Sequence, residues 1–400
     1  MTVSNLSATE HYDVVIIGGG IHGAGIAQAA AAHGHSVLVL EQTSLAAGTS
    51  SRSSKLIHGG LRYLESAQFD LVRECLHERA LLLKNAPDLV ELKPFFIPVY
   101  SETSRNAWQI RAGLALYSTL GGLSQETRFK LIPPRDWDKL DGLDREDLQR
   151  VFRYYDAQTD DKLLTEAVMR SAQSLGAELC MPAEFDSAER RDKLYVVRYK
   201  TEFQAVECTT NLLINAAGPW ANNVLNQITP QVSTLDVDLI QGTHIILDGS
   251  MNNGIYYIEA PEDRRAVFVM PWQDKIMVGT TESYYHGNPA KVHPLAKEKE
   301  YLLQTLGYYF PKYRHHTHQD IISSFAGLRV LPKTESTAFS RPRDTIFHTD
   351  QTDDPRLVTI YGGKLTAYRA TAEKLMNQFS FVLPLNRVIA DTTKLKLASR

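Results

Sequence analysis

The stretch from residue 12 to residue 42, YDVVIIGGGIHGAGIAQAAAAHGHSVLVLEQ, predicts a strand, a glycine-rich turn, a helix and a second strand. The β-branched run at 14–17 is typical of a strand buried on both faces in a parallel sheet. A small-residue segment then predicts a helix that ends at Gly34, after which residues 37–40 predict the next strand. Strand, helix and strand in this order form the repeating unit of an α/β fold.

Three glycines of this stretch, Gly18, Gly20 and Gly23, form the G-x-G-x-x-G pattern of dinucleotide-binding turns. The first permits a tight turn, the second lets a pyrophosphate approach the backbone, and the third lets helix and strand pack closely. The helix N-terminus offers free N–H groups and partial positive charge to the phosphates. Glu41 follows the second strand, where a carboxylate binds ribose hydroxyls and repels a 2′-phosphate. NADP is therefore disfavoured, and NAD and FAD remain.

The polar segment at 49–65, TSSRSSKLIHGGLRYLE, distinguishes between these two cofactors. An NAD-binding domain usually continues into another helix here, whereas a flavin ring needs hydrogen-bond donors and close backbone approach. Serine hydroxyls, backbone N–H groups and a glycine pair supply both. The alternative is a solvated loop that caps a helix starting near Ala67. The segment favours FAD, with its first half holding the flavin and its end, Arg62 and Tyr63, reaching the substrate.

Two later segments also fit a flavin site, namely 212–222 (LLINAAGPWAN) and 357–375 (LVTIYGGKLTAYRATAEKL). Each predicts a buried strand that runs into glycine. In the second, a lysine and a helix start follow, and their positive potential favours the anion that a flavin becomes on two-electron reduction. Lys364 is alternatively a solvated lysine at a helix start. The predicted cofactor-binding residues are Gly18, Gly20, Gly23, Glu41, Thr49, Ser50, Ser53, Lys55, Gly60, Gly218, Trp220, Gly362, Gly363 and Lys364.

The 400 residues, with a net charge of −3 and 43% hydrophobic residues, are sufficient for two globular domains. No basic face is indicated, so nucleic acid is not an expected partner. The three cysteines lie far apart without a C-x-x-C pattern, which fits a reducing, cytoplasmic compartment. We expect neither a signal peptide nor a membrane span. No metal is expected, because the histidines at 315–318 lack a matching acid cluster.

Further motifs follow GGGIHGAGIA and SSKLIHGGLRYLE in a fixed order, namely NAAGPW, IQGTHII, GTTE, FAGLRVLP and YGGKLTAYR. Over roughly residues 11–380, the sequence resembles the FAD-dependent glycerol-3-phosphate dehydrogenases. These belong to the flavoprotein group that includes D-amino acid oxidase and glycine oxidase. SSKLIHGGLRYLE is the most specific motif and points to the glycerol-phosphate branch rather than to the amine oxidases.

The resemblance implies an α/β fold class, with a Rossmann-like FAD-binding domain and a discontinuous α+β substrate domain that contains an antiparallel sheet. The implied FAD-binding domain comprises 11–85, 150–235 and 325–385, the substrate domain comprises 86–149 and 236–324, and a short tail comprises 386–400. The sequence is compatible with this plan. Residues 266–282 predict two strands joined by a polar turn at Gln273 and Asp274, and residues 159–179 predict a capped helix followed by a strand.

The resemblance also implies oxidation of sn-glycerol 3-phosphate to dihydroxyacetone phosphate by hydride transfer from C2 to flavin N5. Electrons would pass to quinone or another acceptor. Carried over by position, the implied substrate-binding residues are Arg62, Tyr63 and Arg343, and the implied catalytic residues are His244, Arg329 and Lys364. A phosphate dianion prefers guanidinium and ammonium partners, and an imidazole that titrates near neutral pH suits the base.

Alternatives remain for three of these residues. His244 lies in an apolar run and is alternatively a core histidine bonded to backbone. Arg329 either polarises the C2 oxygen or accepts its proton indirectly. Arg341 is a rival for the role of Arg343, because both lie in one polar loop.

The sequence departs from the family pattern in two places. Gln241 stands where members often carry lysine, which removes a positive charge near the expected site. The sequence also ends about where many members continue into a helical domain. Two rival functions follow. One is an FAD enzyme of the same fold acting on another small hydroxy acid or amine, and the other is a non-catalytic flavin-binding subunit.

The segment 105–120, RNAWQIRAGLALYSTL, has a tryptophan, basic residues and a broad apolar face. Such a helix can lie in a bilayer interface or pack on the substrate domain. Members that pass electrons to quinone lie on the cytoplasmic membrane face. The resemblance therefore favours peripheral membrane contact, and it leaves a homodimer open.

Overall fold

Two β-sheets organise the part of the chain that the computed structural model describes, residues 10–333 and 345–398. The strands are β1 (Glu10–Ile17), β2 (Val37–Leu40), β3 (Leu56–Ile57), β4 (Val90–Tyr100), β5 (Lys130–Ile132), β6 (Leu148–Thr159), β7 (Glu178–Cys180), β8 (Glu184–Arg191), β9 (Leu194–Lys200), β10 (Ala205–Asn215), β11 (Ile228–Thr229), β12 (Val237–Leu247), β13 (Ile255–Glu259), β14 (Ala266–Trp272), β15 (Lys275–Gly279), β16 (Ser283–Tyr285), β17 (Ile321–Pro332), β18 (Ile346–Thr349) and β19 (Leu357–Tyr361). The α-helices are α1 (Ile21–Ala32), α2 (Phe69–Asn85), α3 (Ala107–Leu120), α4 (Asp161–Ser174), α5 (Ala221–Leu225), α6 (Ala296–Tyr309) and α7 (Tyr368–Gln378).

The first sheet contains the predicted α/β unit. Its order is β11-β8-β9-β10-β1-β2-β7, β19 also pairs with β10, and β18 pairs with β19. Strands β19, β10, β1, β2 and β7 run parallel, and Val14 lies opposite both Val37 and Leu212. Every residue of β2 is buried. The almost fully buried α1 packs against α4 and α7. Burial of these apolar surfaces stabilises the sheet and fixes where its strands end.

The predicted turn and helix of the first unit are confirmed. Helix α1 starts at Ile21, and Gly34 follows its end with a φ of +85°. Gly18 has a φ of +109°, which L-residues with a side chain rarely adopt. A Cβ atom at Gly23 would overlap the carbonyl oxygen of Gly18. The turn therefore requires glycine at both positions.

The second sheet has the order β16-β12-β15-β14-β13-β4-β6-β3, with β17 paired to β12 and β5 to β6. The predicted hairpin is confirmed, because β14 and β15 pair antiparallel and are joined by Gln273 and Asp274, both with positive φ. The predicted capped helix is α4. The side chain of Asp160 accepts hydrogen bonds from the N–H groups of Lys162 and Leu163, and β7 follows the helix.

The predicted division into domains stays a prediction. Strand pairing nevertheless places several segments in the second sheet, although the sequence indicated that they belong to the other domain. Strands β3, β6 and β17 lie wholly or mostly in segments expected with the FAD-binding domain, yet all three pair within the second sheet. Residues 386–398 pack on the C-terminal ends of α1 and α2. The Ile389 N–H donates to the Ala32 carbonyl over 2.8 Å, and the Leu397 N–H donates to the Asn85 carbonyl over 2.8 Å.

Within residues 10–333 and 345–398, no α-helix is both long and apolar enough to cross a membrane. The helix expected at 105–120 is α3. It buries Ile110 and Leu114 against the protein, while Trp108 is 69% exposed. One face of α3 therefore packs on the protein, and membrane contact through the other face stays a prediction.

Candidate active site

A cavity of about 740 Å³ is lined by residues of both sheets and of the polar segment 49–65. Its wall includes residues 17–22, 216–220 and 362–366, which follow the carboxyl ends of β1, β10 and β19. Ligands of open α/β sheets bind at these strand ends. Residues 327–332 of β17 contribute wall from the second sheet.

The glycine-rich turn forms a cradle in this wall. The Gly18 N–H donates to the Leu40 carbonyl over 2.8 Å, which fixes the turn between β1 and β2. The Ile21 N–H donates to Ser50 Oγ over 2.9 Å, so the start of α1 is joined to the serine segment. Glycines leave the backbone at the start of α1 accessible, and the arrangement fits the phosphates of a dinucleotide.

Glu41 lies in the cavity wall at the end of β2 and is 8% exposed. Its Oε2 atom accepts a hydrogen bond from the Gly19 N–H over 2.8 Å, and its Oε1 atom accepts one from the Thr43 N–H over 2.8 Å. These bonds hold the carboxylate beside the turn. The position fits the predicted ribose-binding role, and a 2′-phosphate would meet a like charge there.

The segment 49–65 contains no α-helix. It folds as short 3-10 turns at Thr49–Ser51 and Leu61–Ser66 with β3 between them. The Thr49 hydroxyl donates to the Leu328 carbonyl over 2.7 Å, which joins the segment to β17. The predicted cofactor residues of this segment that line the cavity are Thr49, Ser50, Ser53 and Gly60.

Lys55 has a different position from the one expected. It is not part of the cavity wall that the described residues form. Its Nζ atom donates to Asp161 Oδ1 over 2.5 Å and to the Ser51 carbonyl over 2.6 Å. Burial raises the pKa of Asp161, and the nearby Lys55 opposes this effect. Because a fully buried carboxylate requires a compensating charge, Lys55 forms a buried ion pair with Asp161, and its contact with the cofactor stays a prediction.

Arg62, Tyr63 and Lys364 all line the cavity. The Nζ atom of Lys364 lies 4.6 Å from the centre of the Tyr63 ring, so residues from distant parts of the sequence meet here. The expectation that Lys364 lies at a helix start requires correction. Helix α7 begins only at Tyr368, and Lys364 belongs to the preceding loop. The other predicted residues at the ends of β10 and β19 also line the cavity, namely Gly218, Trp220, Gly362 and Gly363.

His244 lies on β12, is 1% exposed and stacks on Phe325 with ring centres 4.8 Å apart. Its Nε2 atom lies 3.0 Å from Ser54 Oγ, whereas its Nδ1 atom is buried and has no hydrogen-bond partner among the described residues. Burial, followed by the charges of Arg329 and Lys55, lowers the pKa of His244 to about 3. This pKa lies below the near-neutral value expected for the base, and the catalytic role of His244 stays a prediction. The ring is neutral at neutral pH.

Arg329 reaches the cavity from β17. Its Nη2 atom donates to Thr280 Oγ1 over 3.0 Å, and its Nη1 atom donates to the Thr281 carbonyl over 3.4 Å. A carboxylate oxygen of Glu282 lies 3.9 Å from Nη1. These contacts hold the guanidinium beside the neutral imidazole, where it can bind an oxygen of a substrate.

Gln241 does not lie in the cavity wall formed by the described residues. Side chains alternate along a strand, and His244 faces the cavity while Gln241 faces the opposite side of β12. The Gln241 Nε2 atom donates to Glu298 Oε2 over 2.6 Å. Thr243 and Thr281 also donate to Glu298. The expectation that Gln241 removes a charge near the site was therefore wrong.

Arg343 and its rival Arg341 lie outside the residues that the structure describes. Sequence reasoning also missed wall residues, among them Ser54 and Arg265. Arg265 donates from Nη1 to the Glu282 carbonyl over 2.9 Å, and no motif marks it in the sequence. No local pattern marks Ser54 either, because its partner His244 lies 190 residues away in sequence.

The model of the FAD dependent oxidoreductase (DAO) family matches residues 13–369 of this chain. The chain belongs to this family, and its cofactor is FAD. The α/β fold class and the sequence-based family resemblance are confirmed. The glycine cradle, the acid at the end of β2 and the polar segment fit this cofactor, which supplies a two-electron acceptor to an oxidoreductase.

Individual proteins and one solved structure are also similar to this chain. The chain is 40% identical over 378 residues to the glycerol-3-phosphate dehydrogenase of Pseudomonas aeruginosa, covering 92% of this chain and 72% of the relative. It is 34% identical over 384 residues to the D-erythritol 1-phosphate dehydrogenase of Brucella abortus, covering 95% and 76%. The solved structure of the glycerol-3-phosphate dehydrogenase from Bacillus halodurans, complexed with FAD, is similar with a TM-score of 0.72 and 26% identity, covering 94% of this chain and 67% of that chain.

Proposed function

We propose that this FAD-dependent oxidoreductase oxidises sn-glycerol 3-phosphate to dihydroxyacetone phosphate. The 40% identity to a glycerol-3-phosphate dehydrogenase supports this substrate. The observation that carries the proposal is the cavity wall itself. It combines the neutral imidazole of His244 with the positive charges of Arg62, Arg329 and Lys364, in the same cavity as the dinucleotide turn. A base, cations for a phosphate and a cofactor cradle are the groups that this oxidation requires.

Arg62 and Lys364 bind the phosphate in this proposal, and Tyr63 packs beneath the Lys364 ammonium. Guanidinium and ammonium groups are the preferred partners of a phosphate dianion. Arg343 stays a predicted further phosphate ligand. The phosphate anchors the three-carbon substrate, so that its C2 hydroxyl lies near the imidazole and the Arg329 guanidinium.

Arg329 holds the C2 oxygen and favours its loss of a proton, because the guanidinium stabilises negative charge developing there. His244 is the final acceptor of that proton. Bound FAD supplies, at N5, the acceptor for the hydride from C2. The phosphate dianion adds negative charge to the cavity, which opposes the part of the lowering of the His244 pKa that comes from Arg329 and Lys55; the larger part comes from burial.

Quinone is the proposed electron acceptor, and peripheral contact with the cytoplasmic membrane face brings the enzyme to it. Support comes from exposed apolar side chains on and near α3. Trp108 is 69% exposed, Leu116 is 38% exposed and Leu123 is 61% exposed. Such side chains can enter a bilayer interface while the other face of α3 stays packed. A homodimer stays a prediction.

The decisive experiment is anaerobic flavin absorbance of the purified holoprotein, before and after sn-glycerol 3-phosphate is added. Bleaching of the long-wavelength band by this compound, but not by glycerol or lactate, is the expected result. Glycerol tests the need for phosphate, and lactate tests the hydroxy-acid alternative. A flavin spectrum that does not change would contradict the proposed substrate.

A second candidate is oxidation of a four-carbon polyol phosphate. It is favoured by the 34% identity to a D-erythritol 1-phosphate dehydrogenase over 95% of this chain. The same phosphate-binding cations would serve either substrate. Rates of flavin reduction by D-erythritol 1-phosphate and sn-glycerol 3-phosphate, measured side by side, distinguish the two. A higher ratio of rate to half-saturating concentration identifies the preferred substrate.

A further inference from the structure

Among the described residues, neither ring nitrogen of His244 is both exposed and without a hydrogen-bond partner. Its Nδ1 atom is buried, and its Nε2 atom lies 3.0 Å from Ser54 Oγ. The whole residue is only 1% exposed. Ser54, in contrast, is partly exposed and lines the cavity. Both residues line the cavity, and the serine hydroxyl is the hydrogen-bond partner of the Nε2 atom.

The chain on both sides of Ser54 is fixed to a single buried carboxylate. The Ser53 N–H donates to Asp161 Oδ2 over 2.9 Å, and Lys55 Nζ donates to Asp161 Oδ1 over 2.5 Å. The Ser53 hydroxyl also accepts a hydrogen bond from the Lys55 N–H over 3.1 Å.

Lys55 has a φ of +60°, a backbone conformation that is costly for a residue with a side chain. The ion pair with Asp161 maintains this conformation. Because Ser53 and Lys55 are both bonded to Asp161, the side chain of Ser54 between them is directed toward His244.

We propose that Ser54 is a catalytic residue that relays the proton of the substrate hydroxyl to His244. This inference rests on the proposed function. The O–H bond of the C2 hydroxyl breaks, and its proton moves to Ser54 Oγ, while the proton of Ser54 moves to His244 Nε2. The C2–H bond releases its electron pair as hydride to bound FAD, and a C2=O bond forms. The substrate loses two electrons, FAD gains them, and the serine ends with one proton as it began.

The relay requires the His244 tautomer that carries its hydrogen on Nδ1, so that Nε2 is free to accept. The charges that face the imidazole are consistent with a proton acceptor that is protonated only during turnover. Arg329 approaches from β17 and Lys55 from the loop before β3, and both disfavour a resident proton. The pair of Ser54 and His244 therefore starts each turnover neutral.

The test compares Ser54→Ala, Ser54→Thr and Ser51→Ala holoproteins with the parent. The Ser51→Ala variant is the matched control, because Ser51 belongs to the same segment but is not part of the cavity wall among the described residues. Anaerobic stopped-flow flavin reduction by sn-glycerol 3-phosphate gives the saturating rate and the half-saturating concentration. Ser54→Ala is expected to lower the rate about hundredfold with an unchanged half-saturating concentration. Ser54→Thr retains a hydroxyl and is expected to recover most of the rate.

A double variant separates a relay from two independent roles. If Ser54 and His244 act on one proton, Ser54→Ala combined with His244→Ala is no slower than His244→Ala alone. If the double variant shows the product of the rate losses of the two single variants, the relay is overturned. A Ser54→Ala rate equal to the parent rate would overturn it as well. Failure of the proposed function is distinguishable, because the parent itself would then not be reduced by sn-glycerol 3-phosphate. In that case, the same variants are compared with the polyol phosphate or hydroxy acid that does reduce the parent.

Discussion

Gln241 donates a hydrogen bond from its Nε2 atom to the Oε2 atom of Glu298 over 2.6 Å, on the side of β12 that faces away from the cavity. Both residues are buried, with 2% and 3% of their surfaces exposed. Glu298 is also bonded by Thr243, Thr281 and the Leu295 N–H. Position 241, where the family resemblance led us to expect lysine, thus belongs to a structural network that joins β12 to α6.

Gln241→Lys is accordingly expected to leave substrate affinity unchanged. The new ammonium would pair with Glu298 instead of entering the cavity, because strand alternation directs position 241 away from it. The measurement is the half-saturating concentration of sn-glycerol 3-phosphate in anaerobic flavin reduction. Arg62→Gln, which removes a cation from the cavity wall, is the comparison and is expected to raise that concentration. A lower value for Gln241→Lys than for the parent would show that position 241 acts on the phosphate.

Glu41→Ala is expected to weaken FAD binding about tenfold to a hundredfold, because it removes a carboxylate that accepts hydrogen bonds from the turn and lines the cavity. Dilution of the purified holoprotein, followed by the fluorescence of released flavin, gives the dissociation constant. Glu91→Ala removes an exposed carboxylate and serves as the control. Equal FAD release from all three proteins would rule out a cofactor role for Glu41.

Arg329→Ala is expected to reduce the saturating rate of flavin reduction about 10²- to 10³-fold, as loss of an oxyanion-stabilising donor does. Arg329→Lys keeps the charge but loses the fork that binds Thr280 and the Thr281 carbonyl, so partial recovery is expected. Stopped-flow absorbance measures both variants. Circular dichroism of the holoproteins verifies that the fold is retained. A rate near that of the parent in Arg329→Ala would exclude the proposed polarisation of the substrate.

Stability is expected to fall on acidification, in part because of His22. This residue lines the cavity at the start of α1, and burial lowers its pKa to about 4 from an ordinary value of 6.5. Between these two pH values, the unfolded chain binds a proton that the folded chain does not. The free energy of unfolding therefore decreases as pH falls from 6.5 to 4, by at most about 1.4 kcal/mol per pH unit for this proton.

His22→Gln is expected to lessen this pH dependence, since its side chain does not titrate. Urea unfolding of the holoprotein at several pH values between about 4.5 and 7 measures this pH dependence. The range follows from the pKa of His22 in the folded and in the unfolded chain. The buried His244 keeps part of the slope in the variant, because its pKa is lowered in the same direction. The exposed His315→Gln variant is the control for the substitution itself. Identical slopes in His22→Gln and the parent would contradict the assignment.

Local rules made the first unit predictable. The backbone of Gly18 and the contact between Gly23 and Gly18 exclude side chains regardless of what surrounds them, so the pattern of glycines is visible in the sequence. The hairpin turn at Gln273 and Asp274 and the cap at Asp160 depend likewise on residues a few positions apart. Such interactions link residue type to structure over one turn of chain.

The candidate site depended partly on such local patterns and partly on distant partners. Gly18, Gly20 and Glu41 were assigned from the sequence and line the cavity, whereas Gly23 packs against the Gly18 carbonyl and is not part of the wall that the described residues form. Lys55 was assigned to the cofactor, yet its partner Asp161 lies 106 residues away in sequence. Ser54 was overlooked because its partner His244 is 190 residues distant. No pattern within the segment 49–65 specifies either contact.

The sequence by itself determined the dinucleotide-binding unit and the segments that build the cavity, because these follow from backbone requirements and from periodic burial. It indicated the FAD family through the resemblance of its motifs. Only the tertiary structure decided which charges are exposed to the cavity. Whether a lysine faces a cofactor or a buried carboxylate, and whether a glutamine faces a substrate or a helix, is set by which distant segments pack against it. The free energy of burying a charge depends on the partner that is present, and that partner is known only once the chain has folded.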